Sequence, residues 1–311
     1  MKMKFCLAFI LALPMSAMAT SDQCQPSPWG ATDEIGSANH ITAESVLQAA
    51  QLIKTGKTYS LGITIDNTTP AFAPRGLSLQ VVQPGQQESA RPNAGMTYND
   101  DVFQGWFGIG SQLDGLCHLG YDGMYYNCNH AQDFAHIAGL SKLGIEKVPP
   151  LVARGVVLDM AAHAGKAHLD AGEIFTVEDV LAVAKKQNTP IRKGDVVLFH
   201  TGWTDAKLKS DPLAWVSGEP GQAEAVAQYM ADQEVVAVGA DTWGVDPVPS
   251  EHADRPFQGH VILLKENGIY ILETMNTGPL VRDGAYEFLF VLGQAKVRGA
   301  VQMFINPVAI R

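Results

Sequence analysis

Lys193-Gly194-Asp195-Val196-Val197-Leu198-Phe199-His200 sets the reading of this chain. A turn pair opens it, four apolar residues follow without alternation, and a polar residue closes it. A short unbroken apolar run of this kind is a strand covered on both faces. The same design recurs at Val156 to Met160 after Arg154-Gly155. It appears again at Val235 to Gly239, leading into Ala240-Asp241, and at Ile269 to Leu272, which runs straight into Glu273. Val301 to Ile305 is the last strand candidate. Helical stretches separate these runs. Thr176 caps a helix through Lys185 with Glu178 near its start, Ala223 to Gln233 is a second, and His260 to Glu266 is a short third stopped by Asn267-Gly268. Apolar strands alternating with helices predict an α/β core. No Pro/Gly/Ser linker divides the chain, so one domain is predicted, with two lobes joined near residue 165 as the other arrangement.

Towards the N-terminus, Thr42 starts a helix that runs to about Lys54 and stops at Gly56. Tyr59 to Ile65 alternates like a strand, and Gln83 to Asn99 reads as a surface loop. Lys2 and Lys4, the apolar run Phe5 to Leu13, and Ala17-Met18-Ala19 form the three-part pattern of a cleavable signal peptide over residues 1–19. This leaves a mature chain of residues 20–311, placed in the periplasm or secreted. The leader run is shorter than the ~20 residues a membrane span needs. Loss of Lys2 and Lys4, with no acid in the leader, takes the net charge from −10 to −12. An acidic chain without a basic patch is a poor partner for nucleic acid or anionic lipid, so a small-molecule substrate is expected. Of the cysteines beyond the leader, Cys117 and Cys128 can pair with Cys24 left over, or all three stay unpaired.

Gly110-Ser111-Gln112-Leu113-Asp114-Gly115-Leu116-Cys117-His118 is the segment richest in chemistry. If Ser111 to Asp114 is extended, Gln112 and Asp114 share a face, because the strand period is two. A turn at Gly115 then returns the His118 ring to Asp114. A carboxylate, an amide oxygen and an imidazole suit a divalent ion with a proton-transfer group; a surface loop with a capping Asp and a solvated His is the plainer alternative. Glu273, at the end of a buried strand, needs a partner there, and His260 lies just upstream; either a metal or a salt bridge meets that need. Asp241-Thr242-Trp243 follows a buried strand, where α/β proteins place site residues. Trp106 and Phe107 line a pocket or pack in the core. His200-Thr201-Gly202-Trp203 reads as core support, and His163 and His168 as solvated loop residues. No phosphate loop, Walker lysine or Gly-x-Ser-x-Gly elbow occurs.

Taken in order, these segments resemble the cyclase family of metal-dependent hydrolases, which includes bacterial kynurenine formamidase. The likeness is to its longer branch and spans nearly the whole mature chain. It rests on Trp29-Gly30, Asp33 to Gly36 and Asn39, on Leu143 to Pro150, Arg154 to Asp159, Gly194-Asp195 and His200 to Trp203, and on Asp246-Pro247, Ser250, His260 and Glu273. The family's core motif, His-x-Gly-Thr-His-x-Asp-x-x-x-His, here reads Gly108-x-Gly110-Ser111-Gln112-x-Asp114-x-x-x-His118. The resemblance implies a three-layer β/β/α fold of the swivelling type and a homo-oligomer. It implies Asp114, His260 and Glu273 as ligands of zinc or manganese, Gln112 at a further ligand position, and His118 as general acid/base. With Gly108 and Gln112 in place of two histidines, one ion is expected rather than two. Trp106, Asp241 and Trp243 are the expected substrate contacts. The implied activity is hydrolysis of an amide, formamide or lactam carbonyl, arylformamidase-like, by water activated at the ion. A lactone hydrolase, a ring-closing cyclase, or a non-catalytic binding protein with a degraded site are the alternatives.

Overall fold

The computed structural model describes residues 24–82 and 98–311. Nine strands form one mixed sheet: β1 (Thr58–Ser60), β2 (Gln112–Asp114), β3 (Leu151–Asp159), β4 (Val196–His200), β5 (Ala237–Ala240), β6 (Tyr270–Glu273), β7 (Glu287–Leu292), β8 (Gln302–Phe304) and β9 (Val308–Ile310). Their order across the sheet is β1-β9-β7-β3-β4-β5-β6-β2-β8. The middle four, β3 to β6, are parallel, and antiparallel strands flank them on both sides. The fold is a single-domain α/β arrangement whose sheet curls as a half-barrel.

The apolar runs explain the centre. Val156 to Leu158, Val196 to Phe199 and Val235 to Val238 are all shielded from solvent. Each such side chain contributes roughly 1.5–3 kcal/mol by burial. Helix α1 (Ala43–Ala50) starts at Thr42, as expected, but its capping partner is Ser45, and it ends short of Lys54. Helix α2 (Val177–Gln187) is fixed by a reciprocal bond pair between Thr176 and Asp179 and buries Val180, Val183 and Ala184. Helix α3 is Glu224–Asp232. The predicted strand over Tyr59 to Ile65 shrinks to β1, whose partner β9 is also only three residues long. A separate hairpin pairs Leu77–Val82 with Asp100–Gly105, and most of the loop predicted between them lies outside the described residues. The predicted signal peptide lies outside them too. No helix among the described residues is long and apolar enough to cross a membrane.

The cysteines depart from the expected pairing. Cys24 bonds Cys128, closing 104 residues of chain, and Cys117 is free and buried. Cys117 is close to Cys128 in sequence but points into the core near the Leu143 carbonyl, 3.5 Å away. Cys128 sits in a left-handed turn with Asn127 and faces the N-terminal arm. Asp33 ties the same region together. Its carboxylate accepts bonds from the Ser27 and Tyr126 hydroxyls at 2.8 and 2.6 Å and from the Asn39 amide at 3.0 Å. The Trp29 to Asn39 block is therefore a structural clamp.

Candidate metal centre and substrate cleft

The site grows out of three neighbouring strands. Glu273 on β6 faces Gln112 on β2, and Asp114 on β2 faces Gln302 on β8. The strand period of two puts all four side chains on one face. His260 comes from the segment after β5, where a short helix (Gln258–His260) runs into a π-helical turn (Val261–Glu266). Asp246 fixes that entry. Its Oδ1 accepts the Gly259 N–H at 2.9 Å, and its Oδ2 meets the His260 Nδ1 at 2.5 Å. Residue 259 must be glycine, because a Cβ there would lie 2.1 Å from Asp246 Oδ1. With Nδ1 engaged, Nε2 faces the acids, 3.1 Å from Glu273 Oε1 and 3.9 Å from Asp114 Oδ2.

One ligand atom from each of Asp114, His260 and Glu273 lies within 4.8 Å of the others. Asp114 Oδ2 is fully shielded and has no hydrogen-bond donor among the described residues. Burial and the Asp114 charge push the Glu273 carboxyl up to about 8. Burial, then the Glu273 charge, raises the neighbouring Glu219 well above its ordinary range. Burial opposes charge on the His260 imidazole, yet bonding to Asp246 and Glu273 outweighs this and holds it well above its usual value. Acids thus outnumber cations here, and an unsatisfied oxygen points into the gap. Hard and borderline donors in this arrangement fit one divalent cation, whose binding would displace the His260 proton. The Asp246–His260 pair has the form that orients metal-binding imidazoles.

His118 reaches the cluster as the Gly115 turn predicted, its Nε2 4.0 Å from Asp114 Oδ2. Burial lowers its pKa below the usual histidine value; the upward pull of Asp114 does not offset this. The ring is therefore neutral at pH 7. His118, His260 and Glu273 line a cleft of about 160 Å³, with Phe72, Arg75, Leu119, Trp243, Gly244 and Phe257. Phe72 stacks on Trp243 at 5.3 Å between ring centroids.

Three expected roles change. Gln112 meets the acids through its amide nitrogen: Nε2 donates to Glu273 Oε2 at 2.5 Å and Asp114 Oδ1 at 3.2 Å. Trp106 is 51% exposed and lies outside the cleft lining. Asp241 is buried and outside the cleft lining, its Oδ1 accepting the Thr201 N–H and hydroxyl at 2.7 and 2.6 Å. It braces the turn after β4, where His200 bonds Thr277 at 2.8 Å, the core support expected of that segment. Trp243 does line the cleft.

The sequence reading passed over Phe72, Arg75, Glu219 and Gln302. The last two carry no local motif, and the first two lie in an irregular Pro-containing segment. Gln302 and Arg75 also explain Gly108. A Cβ at Gly108 would sit 2.7 Å from both Arg75 Nη1 and Gln302 Oε1. Their side chains fill the space a larger residue would need, and Gln302 donates to Asp114 Oδ1 at 2.6 Å.

Comparison with known proteins agrees with this architecture. No curated protein matches the chain. A solved structure described as a novel cyclase superposes with a TM-score of 0.82 at 30% identity, covering 91% of this chain and 96% of its own. Isatin hydrolase A from Labrenzia aggregata, bound to benzyl benzoate, gives 0.63 at 16% identity, with 85% and 98% covered. A potential metal-dependent hydrolase with cyclase activity gives 0.52 at 16%, with 81% and 98% covered. The model of the family described as "Putative cyclase" matches residues 59–247, which hold β2, His118 and Asp246. With that match over more than half its length, and with the same fold around the acid cluster, the chain belongs to the cyclase family.

Proposed function

We propose that this protein is an exported metal-dependent hydrolase that opens the amide, formamide or lactam carbonyl of a small aromatic substrate. The observation that carries the reading is the unsatisfied Asp114 Oδ2, buried between His260 and Glu273 at the edge of a cleft that also presents His118. A divalent ion, zinc or manganese, held by Asp114, His260 and Glu273 supplies Lewis acidity and eases water ionisation at neutral pH.

The chain's own residues do the rest. Asp246 fixes the tautomer of His260 so that Nε2 faces the donor set. Gln112 and Gln302 steady the ligand carboxylates through their amide N–H groups. Neutral His118 takes a proton from the attacking water and returns it to the departing nitrogen, a role worth about 10²–10⁴-fold. Phe72, Trp243 and Phe257 offer an apolar wall to an aromatic ring. The Cys24–Cys128 disulfide, together with the leader pattern, supports an oxidising compartment.

The test is hydrolysis of N-formylkynurenine and of isatin by the mature chain, before and after chelation. Chelator-sensitive turnover of either supports the reading. Turnover indifferent to metal contradicts it. Bound metal with hydrolysis of a lactone alone moves the assignment to the lactone-hydrolase alternative.

A further inference from the structure

We propose that Arg75 binds the carboxylate of an aromatic ligand in the cleft, one that the amide substrate carries or that its ring opening creates. The inference rests on the hydrolase reading for the word amide, and on the cleft alone for the carboxylate. Arg75 lines the cleft beside His118, Glu273 and the stacked Phe72–Trp243 pair. Among the described residues, one hydrogen bond holds its guanidinium, from Nη1 to the Gly108 carbonyl at 2.9 Å. No carboxylate among the described residues lies within 4.0 Å of it. Arg154, Arg255 and Arg282, by contrast, each have acidic partners.

A guanidinium stays charged at any working pH and presents five N–H donors in a planar fork that matches a carboxylate. Here most of that fork is unspent. Gly108 leaves room for the group, and the Gly108 carbonyl anchors one of its nitrogens. Phe72 and Arg75 lie three residues apart on one segment, so ring contact and charge contact are built together. Arg75 lines the same cleft as His118 and Glu273. A carboxylate paired with it therefore lies beside the reacting carbonyl. That carboxylate belongs either to the substrate as it enters or to the acid that lactam opening creates.

The experiment compares wild type, Arg75→Met and Arg75→Lys in the full mature chain with melting temperatures matched. Calorimetry measures binding of 2-aminobenzoate against aniline, which needs no turnover. The expected result is about 10- to 100-fold weaker 2-aminobenzoate binding in Arg75→Met, the range for a charge-assisted pair, with aniline unchanged and partial recovery in Arg75→Lys. Kinetics then separate the two sources. A raised KM for N-formylanthranilate, with formanilide unaffected, assigns the carboxylate to the substrate. An unchanged KM for isatin with weakened inhibition by its ring-opened product assigns it to the acid formed. Equal weakening of charged and neutral ligands, or no change in 2-aminobenzoate binding, overturns the proposal. Arg75-dependent 2-aminobenzoate binding without amide turnover would sink the hydrolase reading and leave this one standing.

Discussion

Two buried acid groups sit in the same sheet and are settled in opposite ways. At one, Arg154 on β3 pairs with Asp195 at 2.5 Å and with Glu287 at 2.6 Å, and also donates to the Pro190 carbonyl at 3.0 Å. The Arg192 N–H adds a bond to Asp195 at 2.8 Å. At the other, Asp114, Glu273 and Asp246 share one imidazole, and Asp114 Oδ2 has no partner among the described residues. The first cluster carries its own cation and stitches β3, β7 and the turn before β4 together. The second lacks a matching charge among the described residues. A buried acid is paired, neutralised by a proton or bound to a metal, so the second cluster is the one of the two that could take a cation.

Removing the cation from the structural network should cost most in stability. Arg154→Met leaves Asp195 and Glu287 uncompensated, and a loss of about 3–5 kcal/mol is expected, read by denaturant unfolding, with metal content unchanged. Burial pushes the Asp195 carboxyl up to about 7 against the pull of Arg154. A carboxyl whose folded pKa exceeds its unfolded one costs stability increasingly as pH rises from the unfolded value through the folded one. The variant's deficit should therefore be smaller at pH 5 than at pH 8. An equal deficit at both would contradict the assignment of the loss to a buried charge.

At the metal centre the chemistry, not the fold, should suffer. His118→Ala is expected to lower turnover about 10²–10⁴-fold while elemental analysis finds the metal retained. Full activity in that variant removes His118 from the mechanism. Asp114→Asn should behave oppositely to Arg154→Met. In chelator-treated protein it relieves repulsion with Glu273 and leaves the melting temperature level or raised. It should also abolish the stabilisation that added metal gives wild type, about 2.7 kcal/mol at a hundredfold excess over Kd. A stripped Asp114→Asn protein that melts well below stripped wild type would make the cluster a structural network after all. A smaller effect concerns Cys117, whose thiol burial pushes up to about 12. In the folded mature chain it should resist alkylation at pH 8, and rapid labelling would show that it is exposed.

What the sequence disclosed tracks how local each signal is. The strand Val196–His200 was legible to the residue, because an unbroken apolar run needs no distant partner to be recognised. The shared face of Gln112 and Asp114 followed from the strand period, and the return of His118 from the turn at Gly115. Glu273 and His260 were singled out as needing a partner, but their place at one centre came from family resemblance. The errors lie where tertiary contacts decide. Cys24 reaches Cys128 through a clamp built on Asp33, which no spacing reveals. Asp241 follows a buried strand as site residues do, yet Thr201 claims its carboxylate. Gly108 and Gln112 looked like losses from a motif. In the folded chain Gln302 and Arg75 fill the space beside Gly108, and the Gln112 amide bonds the Asp114 and Glu273 carboxylates.

The central claim is that one cation completes the acid cluster. Isothermal titration of the chelator-stripped mature protein with manganese or zinc tests it directly, with Asp114→Asn as the control. One ion per chain, lost in the variant, is the predicted result. No binding, two ions per chain, or unchanged binding in Asp114→Asn would contradict it.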